Sequence, residues 1–134
     1  MPLNTDPIKP RDVFNVLKSS NLKSSPGPDG IPYGILFNLP CTHHTLATLF
    51  NKVLATSAVP SAWGESILKP IHKKGTTDDA GKFRPIALLN TIVKTLHPIL
   101  AKHVTTFFTQ NKLLDPTVQS ALTWSHECYN YYIV

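Results

Sequence analysis

Twelve of the 134 residues are proline, roughly twice the usual share of about 5%. Each proline removes a backbone donor and holds its own φ near about −65°, which limits long uninterrupted helices and excludes a regular coiled coil. Short elements separated by turns are therefore expected. Hydrophobic residues make up 42% of the chain and charged residues only 16%. Typical domains carry about 25% charged residues, so a disordered chain swollen by its own charge is excluded and something packs. The length fits one domain.

The two cysteines, Cys41 and Cys128, lie far apart in the sequence with no secretory leader ahead of them. That predicts a reducing, intracellular setting, nuclear or cytoplasmic alike, and no disulfide scaffold. Lys, His or Pro breaks every apolar run well short of the roughly 20 residues of a membrane span, so no membrane partner is expected. Net charge is +5, and it is unevenly placed. Between Asp79 and Asp115 no acid occurs, while Lys82, Arg84, Lys94, Lys102 and Lys112 all fall there. With Lys69, Lys73 and Lys74 just upstream, residues 69–112 form a basic half suited to a phosphate backbone. Such a charge map is equally that of a solvated face.

Thr5, Asp6 and Pro10 supply helix-start chemistry, and Val13, Phe14, Val16 and Leu17 make one apolar stripe that ends at Ser19, Ser20 and Asn21. The breakers from Ser24 to Gly30 demand an ordered turn or loop. Residues 32–39 allow a helical turn or two, closed by Pro40. Leu46, Leu49, Phe50, Val53 and Leu54 then recur at helical spacing, with Thr42 as the expected N-cap and Pro60 as the stop. Trp63 follows on a loop, placed to plug the edge of the core. Ser66–His72 reads as an edge strand, or one interrupted by a bulge, because Pro70 cannot donate to a ladder. A turn-rich stretch leads to a second apolar run, Phe83–Leu89, and the pair reads as a hairpin with a long tip. Asn90 or Thr91 is placed to cap a last helix carrying Ile92, Val93, Leu96, Ile99, Leu100, Val104, Phe107 and Phe108, which Pro98 should kink.

Four of these segments, in this order and spacing, resemble one family. They are Ser25-Pro26-Gly27-Pro28-Asp29-Gly30-Ile31, then Val59-Pro60-Ser61-Ala62-Trp63, then Lys69-Pro70-Ile71-His72-Lys73-Lys74-Gly75, and last Phe83-Arg84-Pro85-Ile86-Ala87-Leu88-Leu89-Asn90 with Lys94 after it. Together they are similar to the N-terminal fingers region of non-LTR (LINE-type) retrotransposon reverse transcriptases. A looser match continues to Gln119-Ser120-Ala121, where Leu122 stands in place of the family's frequent aromatic residue. The resemblance implies a fingers-like partial domain over residues 1–122 and an unmatched tail over 123–134. It implies an α+β fold, mainly helical with one antiparallel β-hairpin, as an incomplete fingers subdomain of a right-hand polymerase.

By the same resemblance, Arg84 lies along the triphosphate of an incoming deoxynucleotide, with Lys73 or Lys74 as its companion at the fingertip. A planar guanidinium grips two phosphate oxygens at once. Lys69, Lys82 and Lys94 are the expected contacts to RNA or DNA, weak and salt-dependent. Pro26, Gly27, Asp29 and Gly30 are read as a structural turn, the Asp29 carboxylate accepting nearby N–H groups. The family's polymerase activity needs palm carboxylates holding two Mg²⁺ ions. Asp78-Asp79 stands in the hairpin tip, the wrong element for that role, so the chain is expected to be a fragment with the palm missing, to bind no cofactor by itself and to be inactive alone. The alternatives are a small non-enzymatic basic nucleic-acid-binding protein and a poorly folded relic.

Two other groupings carry less. Cys41-x-His43-His44 and His126-x-Cys128 offer zinc-type ligands, but the usual two-to-four-residue spacer is absent, so no metal site is expected. His72 and His97 lack a carboxylate within a turn, which leaves a hydrolase reading without support. Trp124, Tyr129, Tyr131 and Tyr132 form an aromatic tail suited to packing or association.

Overall fold

A computed structural model describes residues 6–113 of the chain. In order it contains α1 (Pro10–Ser19), α2 (Tyr33–Asn38), α3 (Pro40–Thr56), β1 (Ser66–His72), β2 (Phe83–Leu89) and α4 (Thr91–Gln110). The α+β expectation holds: helices dominate, and the two strands form one antiparallel hairpin. Residues 7–99 make up one compact unit, and the described residues from Leu100 onward, with Asp6, belong to another.

Proline placement explains much of the helical pattern. Pro10 and Pro40 each occupy the first turn of a helix, where the missing N–H has no intrahelical partner to lose. At the start of α1 the Asp12 carboxylate accepts the Lys9 N–H at 2.9 Å, bringing negative charge to the helix N-terminus. Asp6 stands ahead of that start, and Thr5 lies outside the described residues. At the other end Ser20 follows the last helical residue, and both the Ser19 and Ser20 hydroxyls donate to the Val16 carbonyl.

Two expected boundaries of α3 differ from the structure. Thr42 is not the N-cap, because the helix already begins at Pro40; its hydroxyl instead donates to the Leu36 and Leu39 carbonyls, tying the end of α2 to the start of α3. Pro60 is not the stop either. Ser57 turns left-handed at φ 53° and ends the helix three residues earlier, without a glycine. Trp63 lies in a short 3₁₀ turn, Ser61–Gly64, with its ring edge-on to Phe50 at 6.1 Å. It closes the core edge as the sequence suggests.

The core of this unit joins Val13 and Leu17 of α1, Tyr33 and Leu36 of α2, Leu46, Ala47, Phe50 and Val53 of α3, and Val93, Leu96 and Ile99 of α4. Phe50, Leu17 and Val13 are completely enclosed, each such burial stabilising by about 1.5–3 kcal/mol. Ile8 is buried ahead of α1 because Asn51 grips its backbone from both sides. The Ile8 N–H donates to Asn51 Oδ1 at 2.7 Å, and Asn51 Nδ2 donates to the Ile8 carbonyl at 2.8 Å. His43 is a core histidine: Nε2 lies 2.9 Å from the Leu36 carbonyl, and the ring is tilted against Phe14.

α4 continues through Pro98 as a single helix. Its far end closes on itself: Lys112 takes a left-handed conformation at φ 51°, while the Leu113 N–H reaches the Phe108 carbonyl at 3.0 Å and the Lys112 N–H reaches Thr109 at 3.2 Å. This is the pairing of a Schellman end, with Lys where glycine is commonest.

Candidate nucleic-acid interface

Register decides which hairpin side chains share a face. β1 and β2 pair Ile67 with Leu88, Lys69 with Ile86, Pro70 with Pro85, Ile71 with Arg84 and His72 with Phe83. Directly opposed residues in an antiparallel ladder project to the same side, and alternate residues share it. One face therefore carries Ile67, Lys69, Ile71, Arg84, Ile86 and Leu88. The Lys73 N–H donates to the Lys82 carbonyl at 2.6 Å, one step beyond the strands, so these two lysines continue the same row.

Arg84 is the centre of that cluster. Lys82 stands two residues ahead of it, just before β2 begins, and Lys69 and Lys73 are its diagonal neighbours across the ladder, a spacing of about 7–8 Å between backbones. Neither strand contains an acid, and among the described residues no ion pair neutralises these cations. All of β1 is exposed, and Arg84 and Lys82 are half-buried. The opposite face bears Leu68, Pro70, His72, Phe83, Pro85 and Ala87, with no acidic or permanently cationic side chain, and the His72 and Phe83 rings meet at 5.0 Å.

At the tip the Asp79 carboxylate accepts the Gly81 N–H at 2.8 Å and caps a short 3₁₀ turn. Lys73 Nζ donates to the Gly81 carbonyl at 3.4 Å, and Lys82 Nζ donates to the Thr76 hydroxyl at 3.0 Å. Those bonds hold the tip in shape. Lys74 sits in the tip bend beyond the paired strands.

The turn at residues 26–30 packs against the exit of the hairpin. Gly27 is buried so closely there that an added Cβ would fall 2.5 Å from the Asn90 nitrogen and nearer still to the Leu89 carbonyl carbon. Gly30 takes φ +68° and donates to the Gly27 carbonyl at 3.0 Å, a conformation that glycine adopts without steric cost. Asp29 Oδ1 accepts the Ile31 N–H at 3.1 Å, so its carboxylate serves the turn as the sequence suggests.

Asn90, between β2 and α4, is the junction of three segments. Its Oδ1 accepts the Asp29 N–H at 3.0 Å, and its Nδ2 donates to the Ala62 carbonyl at 3.0 Å. Next to it the Thr91 hydroxyl donates to the Ile31 carbonyl at 2.6 Å. Lys94, one turn on, donates from Nζ to the Ser25 carbonyl at 3.2 Å and lies 5.3 Å above the Tyr33 ring, a cation–π distance. The structure thus places Lys94 in the loop junction and not among the hairpin cations. Asn90 and Thr91 enter the sequence reading only as cap residues; their long-range bonds have no local signal.

Among the described residues, no group of three or more His, Cys, Asp or Glu side chains is arranged to hold a metal ion. His126 and Cys128 lie outside those residues, as do the aromatic tail and Gln119–Leu122. No described helix is long and apolar enough to cross a membrane.

No family model matches the chain. It is similar to two transposon proteins of Drosophila melanogaster. One is named Probable RNA-directed DNA polymerase from transposon BS, with 29% identity over 116 residues covering 85% of this chain and 13% of the relative. The other is named Probable RNA-directed DNA polymerase from transposon X-element, with 29% identity over 106 residues covering 78% of this chain and 12% of the relative. The chain thus spans about an eighth of the length of these relatives, and their names agree with a relationship to retrotransposon reverse transcriptases.

Proposed function

We propose that this chain is the fingers segment of a non-LTR-type RNA-directed DNA polymerase, and that the basic face of its hairpin meets phosphate groups of the template and of the incoming deoxynucleoside triphosphate. The observation that carries this reading is the register that surrounds Arg84 with Lys69, Lys73 and Lys82 on one acid-free face. Lysines there act as point charges along a phosphate backbone, while the arginine fork holds two oxygens of one phosphate. Pro85 also restricts Arg84 to extended backbone, as Pro70 restricts Lys69, so both cations are presented from a stiff main chain.

The described carboxylates do not suit the two Mg²⁺ ions of the complete enzyme. Asp79 is engaged in capping the tip, and among the described residues no three His, Cys, Asp or Glu side chains gather in a ligand group. Those ions belong, in this reading, to the palm, and the chain alone extends no primer. Titrating the chain with a short labelled RNA and with a deoxynucleoside triphosphate at two salt concentrations tests the proposal. Arg84→Lys should weaken triphosphate binding several-fold, whereas Lys102→Arg should leave it unchanged. Equal silence of both variants would refute the role of Arg84. Primer extension above a no-protein control, lost with chelator, would refute inactivity of the isolated chain.

A further inference from the structure

Pro70 and Pro85 stand directly opposite each other in the middle of the hairpin. In an antiparallel ladder, opposed pairs alternate between those that exchange hydrogen bonds and those whose N–H and C=O groups point away from the partner strand. The Lys73 N–H to Lys82 carbonyl bond makes that pair a bonded one. Counting inward, Ile71–Arg84, Lys69–Ile86 and Ile67–Leu88 are bonded, and His72–Phe83, Pro70–Pro85, Leu68–Ala87 and Ser66–Leu89 are not. Two facing prolines have no donors to exchange, so this is also the only parity that leaves the internal ladder whole.

Both prolines therefore replace N–H groups that would have pointed outward, one at each free edge. β1 would otherwise offer outward donors at residues 66, 68, 70 and 72, and β2 at 83, 85, 87 and 89. Each row is interrupted next to its centre, and each pyrrolidine ring occupies the space a neighbouring strand needs. Among the described residues the sheet has two strands, and neither outer edge is paired with a further strand. Both are flanked by exposed apolar side chains, Leu68 at 68% on β1 and Ile86 at 40% on β2. Unprotected edges of that kind template pairing with further chains.

We propose that Pro70 and Pro85 bar both free edges of the hairpin to strand addition, so that a second copy of this chain cannot extend the sheet and any partner is met by a face. The proposal is independent of the polymerase reading, because it rests on ladder parity alone. Replacing both prolines by a β-branched residue with an N–H, Pro70→Thr with Pro85→Thr, tests it in the full chain.

Sedimentation of the parent chain and the double variant, in about 0.5 M salt to screen the basic face, should show self-association at least tenfold tighter in the variant. Amide exchange should show the new N–H groups at 70 and 85 protected in the associated form. The single variants Pro70→Ala and Pro85→Ala, each opening one edge, should give intermediate association and serve where the double variant loses its helical circular dichroism. Unchanged sedimentation of the folded variants would overturn the proposal. So would tighter association with fast exchange at 70 and 85, which would assign it to a face, and so would a parent chain already associated with the Leu68 or Ala87 N–H protected.

Discussion

Phe50 in α3 and Leu68 in β1 are large apolar residues of the same compact unit, yet Phe50 is 0% exposed and Leu68 is 68% exposed. Around Phe50, apolar residues from α1, α3 and α4 close a core, and the buried polar residues of this unit, His43, Asn90, Thr91 and Thr95, all have hydrogen-bond partners. Around Leu68 the alternation of a strand is intact but neither face is covered. The helical cluster thus has its partners within residues 7–99, whereas the hairpin is a finished backbone element with unused surface. Hairpins of two strands are marginal by themselves. What fixes this one is its base, where Gly27 abuts Leu89 and Asn90 ties residues 29 and 62.

Truncation separates the two regions most strongly. Phe50→Ala should cost about 3–5 kcal/mol of unfolding free energy through lost burial and an unfilled cavity. Leu68→Ala should change it by no more than about 0.5 kcal/mol, as for a surface site. Urea melts followed by circular dichroism measure both, and equal losses would mean that the hairpin is covered in solution.

Backbone approach at the hairpin base gives the next largest effect. Gly27→Ala should destabilise by about 1–3 kcal/mol, because the clash is with main chain that must shift. Gly30→Ala meets open space, and its cost of about 1 kcal/mol should come from the left-handed φ alone. If the two lose equal stability, the contact with Leu89 is not what anchors the turn.

Charge removal on the hairpin should affect binding and leave folding alone. Lys69→Ala should reduce the slope of log K for single-stranded RNA against log salt by about 0.7, with the melting midpoint unchanged. Lys94→Ala should show the reverse pattern, a lower midpoint through loss of the Ser25 and Tyr33 contacts and an unaltered slope.

The smallest effect is alkaline. Burial pushes the Tyr33 hydroxyl above its ordinary pKa of 10.0, and a hydrogen bond with Ser20 offsets part of the rise. A raised folded-state pKa means that stability is intact below the unfolded value and falls as pH rises through the folded one. Urea midpoints should therefore decline above pH about 10, and Tyr33→Phe should make that decline shallower.

The hairpin is legible in the sequence because alternation and two prolines specify extended chain locally, and the basic cluster is legible once residues 69–84 are recognised as two strands. The turn at 26–30 is likewise legible, since Gly30 and Asp29 answer to local geometry. Thr42 misleads because threonine suits an N-cap, while Pro40 two residues earlier suits a first turn even better and prevails. Ser57 gives no warning, as a left-handed serine has no distinctive neighbours. Asn90 is hidden for another reason: its partners lie 61 and 28 residues away. The placement of Lys94 depends on a carbonyl 69 residues back.

Those long separations impose an order on synthesis. α1, α2 and α3, with the Asn51 clamp on Ile8, are complete as chain by Thr56 and can begin to pack while the rest is being made. The turn at residues 26–30 has to wait for Asn90, Thr91 and Lys94, which supply its ties. At about 5–20 residues per second, the interval between Gly30 and Asn90 is roughly 3–12 s. For that time the Pro-Gly-Pro-Asp-Gly segment has only its own local bonds, and the emergence of one short stretch after β2 is what anchors it.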